Sequence, residues 1–343
     1  MKLNDNWTMI AGGKHYPCSV PCSLYDTLYK AGEIPDPYFG ENEYALTAVS
    51  DQDIVLEREI RLTAEQRAAD RLYLTFERID TLGTISLNGQ VLGRTDNMHR
   101  NWEYEVSHFL VPGPQLLRVE LRSPSRWIAE RQAERPLWGV ESTMEGYPHL
   151  RKAHYMFGWD WSPKLPDLGL WRDVTLTGHT GGRIRQVHWR QRHEAGRVIL
   201  ACEADLELWA DGMAACMEVV SPDGRVWSIP LAEGRAQLEI PDPQLWWVRG
   251  LGAQPLYTCR VRLTRNGAAE DVHERRIGLR TLTVSQDEDQ WGKEFCFINN
   301  GVKVFAMGAN YIPEDQLLPR CTPERTARLL EDCERANYNF IRV

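Results

Sequence analysis

Thr84-Ile85-Ser86-Leu87-Asn88-Gly89-Gln90-Val91-Leu92-Gly93 sets two apolar runs on either side of an Asn-Gly pair. Asn-Gly favours a type I′ turn, because both central residues of that turn need positive φ. The stretch therefore predicts a tight β-hairpin. Runs of strand length surround it, at 54–60, 71–79, 116–122 and 170–177. In Leu72-Tyr73-Leu74-Thr75-Phe76 the apolar residues alternate imperfectly, as in a strand partly covered on both faces. Short strands, frequent turn signals and little helix predict a mostly β chain that opens with a β-sandwich or jelly roll.

A second β block follows, with strands expected at 183–190, 198–208, 214–220, 226–230 and 257–264. Pro222-Asp223-Gly224 and Asn266-Gly267 punctuate it. About seven short strands in roughly 100 residues is the size of an immunoglobulin-like sandwich. The pattern changes at the polar run 285–290. Two apolar segments, 295–298 and 302–308, flank Asn299-Asn300-Gly301, another hairpin signal. A single helix is expected after that, with Thr322 as its cap and Pro323 at the first position, where a missing N–H costs nothing. Thr326, Leu329, Leu330, Cys333 and Ala336 recur on one face of it. With a strand at 338–343, the end of the chain reads strand, helix, strand. That is the start of a parallel α/β region.

Composition narrows the function. Thirteen Trp, 12 Tyr and 8 Phe supply ample core material, which excludes disorder as the main state. A net charge of −8 gives no sign of a nucleic-acid surface. The N-terminus lacks the apolar run of a signal peptide, so a cytoplasmic protein is expected. No apolar stretch is long enough for a membrane span. The eight Cys show no zinc-like spacing, even with His15 near Cys18 and Cys22, and read as free buried thiols. His149 and His154 likewise lack partners at ligand spacing. No metal or organic cofactor is expected.

Five of the Trp fall between Trp127 and Trp171, and Trp159-Asp160-Trp161 is the densest point. Sugars present apolar C–H faces ringed by hydroxyls. An indole offers a flat apolar surface and one N–H donor, and a carboxylate accepts charge-assisted hydrogen bonds from hydroxyls. The triplet suits a sugar site. On composition alone, a core with a solvated turn Asp suits it better. In an extended segment Trp159 and Trp161 would share one side, although Pro163 and Pro166 favour a loop beyond 161. Trp127, Trp138 and Trp171 read as packing residues, and Trp246-Trp247 as packing between domains. Glu141 and Glu145 could suggest a carboxylate pair, but spacing alone does not give the separation catalysis needs.

Local motifs then point to a family. Leu87-Asn88-Gly89-Gln90-Val91-Leu92-Gly93, Pro243-Gln244-Leu245-Trp246-Trp247-Val248-Arg249-Gly250, Arg276-Ile277-Gly278-Leu279-Arg280-Thr281 and the run from Asn300 to Asn310 resemble glycoside hydrolase family 2. Within that family, Phe157-Gly158-Trp159-Asp160-Trp161-Ser162-Pro163 and Gly169-Leu170-Trp171-Arg172 resemble the β-mannosidases. Ser162 departs from the usual Gly.

The resemblance implies three parts. Residues 1–182 would form a galactose-binding-like jelly roll, 183–283 an immunoglobulin-like sandwich, and 284–343 the beginning of a (β/α)8 TIM barrel. It also implies that Trp159, Asp160 and Trp161 reach the active-site mouth as substrate contacts, with Asn310 and Arg342 at barrel-strand ends. The implied partner is a β-mannoside oligosaccharide, hydrolysed by two glutamates in a retaining mechanism. A typical barrel takes about 250 residues, and 284–343 is far short of that. The catalytic glutamates are therefore expected beyond this chain, which would be inactive alone. The alternatives are a carbohydrate-binding module without catalysis, and a family 2 β-galactosidase or exo-glucosaminidase.

Overall fold

The computed structural model describes all 343 residues. They form two compact units. The first comprises Met1–Gly178 with Pro313–Thr326, and the second His179–Ile312 with Ala327–Val343.

The first unit is built on a six-stranded sheet. Its order is Lys14–Cys18, Trp7–Ala11, Ile54–Ile60, Gln115–Leu121, Leu82–Leu87 and Gln90–Asp96. The last two strands are the predicted hairpin, with Asn88 and Gly89 both at positive φ. Two three-stranded sheets complete the sandwich. One is Cys22–Ser23, Gly169–Leu170 and Ile79–Asp80; the other is Val174–His179, Arg71–Phe76 and Trp102–Glu105. Gln115–Leu121 alternates buried and open positions, and its Leu117, Val119 and Leu121 enter a core shared with Trp7, Leu56, Phe76, Ile85 and Leu170. Each such buried aliphatic side chain contributes roughly 1.5–3 kcal/mol.

Four expectations need correction in this unit. The run 71–79 breaks after Phe76, and 170–177 splits around Trp171-Arg172-Asp173. The helix at the end of the chain is not the only one: Leu24–Lys30 and Pro124–Glu134 are also helical. Pro124–Glu134 begins with the same device as the predicted helix. Ser123 Oγ accepts from Arg126 N at 3.1 Å, and proline holds the first position. Its apolar stripe is too short to see in sequence, because it buries only Pro124, Ser125 and Ile128. Trp138 is not a packing residue, since it is 88% exposed.

The second unit contains a two-sheet sandwich. Gly182–Glu194, Arg197–Leu208 and Arg235–Pro241 form one sheet. Val226–Pro230, Met213–Val220, Tyr257–Arg265 and Ala268–Ile277 form the other. Val198, Leu200, Met217, Leu238, Tyr257 and Val261 fill the space between them. Two of these strands were not expected. Ala268–Ile277 is an edge strand in which half the residues are charged, and it carries no apolar alternation. Arg235–Pro241 alternates cleanly between open and buried positions, and Glu233-Gly234 just before it sits at positive φ.

Beyond the sandwich, Leu282–Ser285, Cys296–Asn299 and Val302–Val304 form an antiparallel meander. Trp246 and Val248 join it to the segment 243–252. Trp246 N donates to Leu279 O at 2.9 Å, Asn300 Nδ2 to Trp246 O at 2.9 Å, and Val248 N to Asn299 Oδ1 at 2.9 Å. Gly308–Asn310 then pairs in parallel with Phe340–Arg342, with the helix Pro323–Arg335 between them in sequence. That is one βαβ unit, an arrangement found in open sheets and barrels alike. The expected strand at 302–308 is two short strands, broken after Val304. No residue of the helix is buried, and Leu329 and Leu330 are exposed.

Gly169 shows what close backbone approach demands. A Cβ there would lie 2.1 Å from the Cys22 carbonyl oxygen and 2.7 Å from Ser23 Cα. Gly169→Ala must push apart two paired strands and should destabilise the chain by about 3 kcal/mol. Urea denaturation measures this; an unchanged midpoint would show that the strands separate at no cost.

Candidate functional site

Trp159-Asp160-Trp161 lies at the tip of a hairpin. Phe157–Trp159 and Ser162–Lys164 pair antiparallel, with Trp159 opposite Ser162, so Asp160 and Trp161 are the two turn residues. The alternation of an extended strand does not apply here, and the segment beyond 161 is a short strand despite Pro163. The turn presents all three side chains outward. Trp159 is 44% exposed and Trp161 40%, and Asp160 is open to solvent. The Trp161 ring leans on Tyr155, with centroids 5.4 Å apart. Burial raises the Tyr155 phenol, which keeps it protonated beside that ring. Two half-exposed indoles with a carboxylate between them can stack on a sugar face and accept its hydroxyls.

Beneath the hairpin lie buried charges that the sequence reading missed. Lys152 is fully buried, and Nζ pairs with the Asp80 carboxylate and donates to Asp167 O at 2.7 Å. The Asp167 carboxylate is also buried. Its Oδ1 accepts from Tyr25 N at 3.1 Å and Leu168 N at 2.9 Å, while Oδ2 has no hydrogen-bond partner. Gln316 is a second residue missed. It is buried, and its amide meets Met156, Ser162, Pro163 and Leu165. No local motif marks Gln316, because these partners lie more than 150 positions away. A lysine inside a Trp-rich stretch was the one available signal for Lys152.

Asn310 and Arg342 come together. They are register partners on the parallel pair, and Arg342 Nη1 donates to Asn310 Oδ1 at 3.1 Å. Both are exposed, and the Asn310 amide N–H groups are left to donate outward. The other residues singled out in the sequence have local roles. His149 Nε2 pairs with Gln132 Oε1 at 3.1 Å, and His154 packs edge-on against Tyr147. Glu145 accepts from Gln132 Nε2 at 3.3 Å. Trp127 lies half-buried between the guanidinium groups of Arg122 and Arg131. Trp171 is half-buried as well.

No group of three or more His, Cys, Asp or Glu residues is arranged to hold a metal ion. The eight cysteines are free, but only Cys22, Cys202 and Cys259 are fully buried, fewer than expected. No helix is long and apolar enough to cross a membrane. A groove of about 650 Å³ on the second sandwich is lined by Arg185, His188, Trp189, Arg275, Arg276 and Arg280, and by none of the predicted sugar contacts.

The two sandwiches place the chain among the multidomain β-sandwich proteins. The family model for the glycosyl hydrolase 2 galactose-binding domain-like region matches residues 7–172, and that for glycosyl hydrolases family 2 matches residues 183–280. The chain belongs to glycoside hydrolase family 2. It is 28% identical to Beta-mannosidase B of Emericella nidulans, covering 99% of this chain and 42% of that protein. The crystal structure of β-D-mannosidase from Dictyoglomus thermophilum superposes with a TM-score of 0.91 at 34% identity, over 100% of this chain and 44% of that one. The exo-chitosanase CsxA of Amycolatopsis orientalis shares the fold, with a TM-score of 0.74 at 17% identity over 99% of this chain and 40% of that one. The chain thus spans less than half the length of these relatives.

Burial pushes the Asp167 carboxyl up to about 6, while the neighbouring Ser23 hydroxyl, the Tyr25 N–H, the Lys152 charge and the Leu168 N–H pull the other way. The folded state therefore holds this proton more tightly than the unfolded chain, whose Asp titrates at about 3.9. The stability from this group is full below about pH 4 and is lost as pH rises through about 6. Asp167→Asn should flatten the fall in stability between those values, read as urea midpoints across pH. A fall as steep as the parent's would assign the pH dependence to other groups.

Proposed function

We propose that this chain is the sugar-facing, non-catalytic part of a β-mannosidase. The observation that carries the reading is the exposed Trp159-Asp160-Trp161 turn, in a chain that resembles β-mannosidases along nearly its whole length. In this reading the two indoles stack on the C–H face of a terminal β-mannosyl residue. Asp160 accepts hydrogen bonds from its hydroxyls. Asn310 and Arg342 contribute further polar contacts, with the Asn310 amide steered by the guanidinium. Residues 1–182 and 183–283 are read as the jelly-roll and immunoglobulin-like parts, and 284–343 as the opening of a (β/α)8 barrel.

The chemistry belongs to two glutamates outside these residues. One protonates the leaving oxygen. The other forms a glycosyl-enzyme intermediate that water then hydrolyses, which requires carboxyls about 5–5.5 Å apart. What Asp160 adds is binding energy. Hydrogen bonds to ring hydroxyls that strengthen as positive charge develops on the sugar lower the barrier as well as the dissociation constant. A second reading, a carbohydrate-binding module without catalysis, draws on the same turn, since a sugar platform needs no glutamate pair.

Two experiments separate these readings. The 343-residue chain should not hydrolyse an aryl β-mannoside, whereas the same chain extended to the length of its relatives should. Turnover by the 343 residues alone would falsify the non-catalytic assignment, and an inactive extended chain that still binds mannosides would favour the module. In the active extended enzyme, Asp160→Ala should lower kcat/KM at least tenfold, about 1.4 kcal/mol of transition-state stabilisation. An unchanged value would make Asp160 a solvated turn residue.

A further inference from the structure

We propose that Gln316 is the positioning residue of the Trp159-Asp160-Trp161 turn, with Ser162 as its matched partner. The inference rests on the sugar-contact reading above and names what holds that contact in place.

The hairpin cannot hold itself. It has two cross-strand pairs, Phe157 with Lys164 and Trp159 with Ser162. An isolated hairpin, even a longer one, is marginal in water. Gln316 supplies what is missing. Its side chain is buried, and Nε2 faces three carbonyl oxygens: Met156 at 3.1 Å, Pro163 at 3.0 Å and Leu165 at 3.0 Å. Oε1 accepts from Ser162 Oγ at 2.6 Å. Met156 immediately precedes the first strand of the hairpin, Ser162 and Pro163 lie in the second, and Leu165 follows it. One amide therefore ties both limbs, and the three exposed side chains at the tip inherit its position.

The chemistry fixes the orientation of that amide. Carbonyl oxygens only accept, so the NH2 must face the three of them. The amide oxygen is then left for a donor, and the Ser162 hydroxyl is the one within reach. The resembled motif has Gly at 162. A glycine would leave Oε1 buried without its donor, which costs about 1–3 kcal/mol for a polar atom. Ser162 and Gln316 are thus a complementary pair across 154 positions of sequence. Gln316 is itself held on its far side. Asp315 Oδ1 accepts from Leu317 N at 3.0 Å, and Leu317 is fully buried with Tyr25, Leu46 and Leu165.

The test is a double-mutant cycle in the extended enzyme, with aryl β-mannoside kinetics. Gln316→Ala should lower kcat/KM about tenfold when Asp160 is present, and less than about twofold in the Asp160→Ala background. Ser162→Ala removes a single hydrogen bond and should show the same dependence on Asp160 with a loss of about threefold. It keeps the question answerable if Gln316→Ala does not fold. In the 343-residue chain, either variant should speed amide exchange at 157–165 by at least about tenfold while leaving Ile54–Ile60 protected. Equal losses with and without Asp160, or exchange that rises evenly across the first unit, would reduce Gln316 to a general stabiliser and overturn the inference. An inert Asp160→Ala would instead remove the sugar-contact reading itself, and this inference with it.

Discussion

A lysine with no solvent exposure is the constraint around which the first unit is arranged. An ammonium removed from water keeps its charge only when another charge and good hydrogen bonds replace the lost hydration. Lys152 has the Asp80 carboxylate and the Asp167 carbonyl oxygen. The two contacts do different work. Asp80 ties the lysine to the short strand Ile79–Asp80 and so to the sandwich. Asp167 ties the beginning of the Trp-bearing segment to its end. The excursion from 152 to 167 is thereby closed at its base, and everything it carries stands on that clasp. Gln316 grips the same excursion higher up. Removing one partner of such a pair strands a buried charge, commonly at a cost of about 3–5 kcal/mol.

Much of this was legible in the sequence where local chemistry decides structure. Asn88-Gly89, Asn266-Gly267 and Asn300-Gly301 each adopt the positive-φ pair that their turns require. Thr322 and Pro323 mark the start of the last helix, and Ile54–Ile60 and Val226–Pro230 coincide with their predicted bounds. Reading failed where tertiary context decides. The edge strand Ala268–Ile277 takes its conformation from its neighbour rather than from its own apolar pattern. Pro124–Glu134 shows its cap but almost no buried stripe. Trp138 looks like core and stands in solvent, because composition cannot report which way a side chain faces.

The site divides along the same line. The Trp-Asp-Trp turn could be picked out from its residue types, and Asn310 and Arg342 only through the resemblance to a family. Their support could not. Lys152 and Gln316 act on partners brought near only by the fold, and a single sequence carries no mark of such contacts. The family assignment adds breadth to this. It covers both sandwiches, which is why the fold could be read further than the chemistry.

The residues 313–326 belong to the first unit although the whole second sandwich separates them from it in the chain. This has a consequence for the order of events during synthesis. Chains emerge from the ribosome N-terminus first, and domains generally fold as they emerge. Here the first sandwich emerges early but without Gln316, Leu317 and Arg320. It must wait in an unfinished form while the second is made, with the Trp-bearing hairpin unsupported and the pocket for Leu317 open. A sandwich that precedes the second in the chain is thus completed only after it.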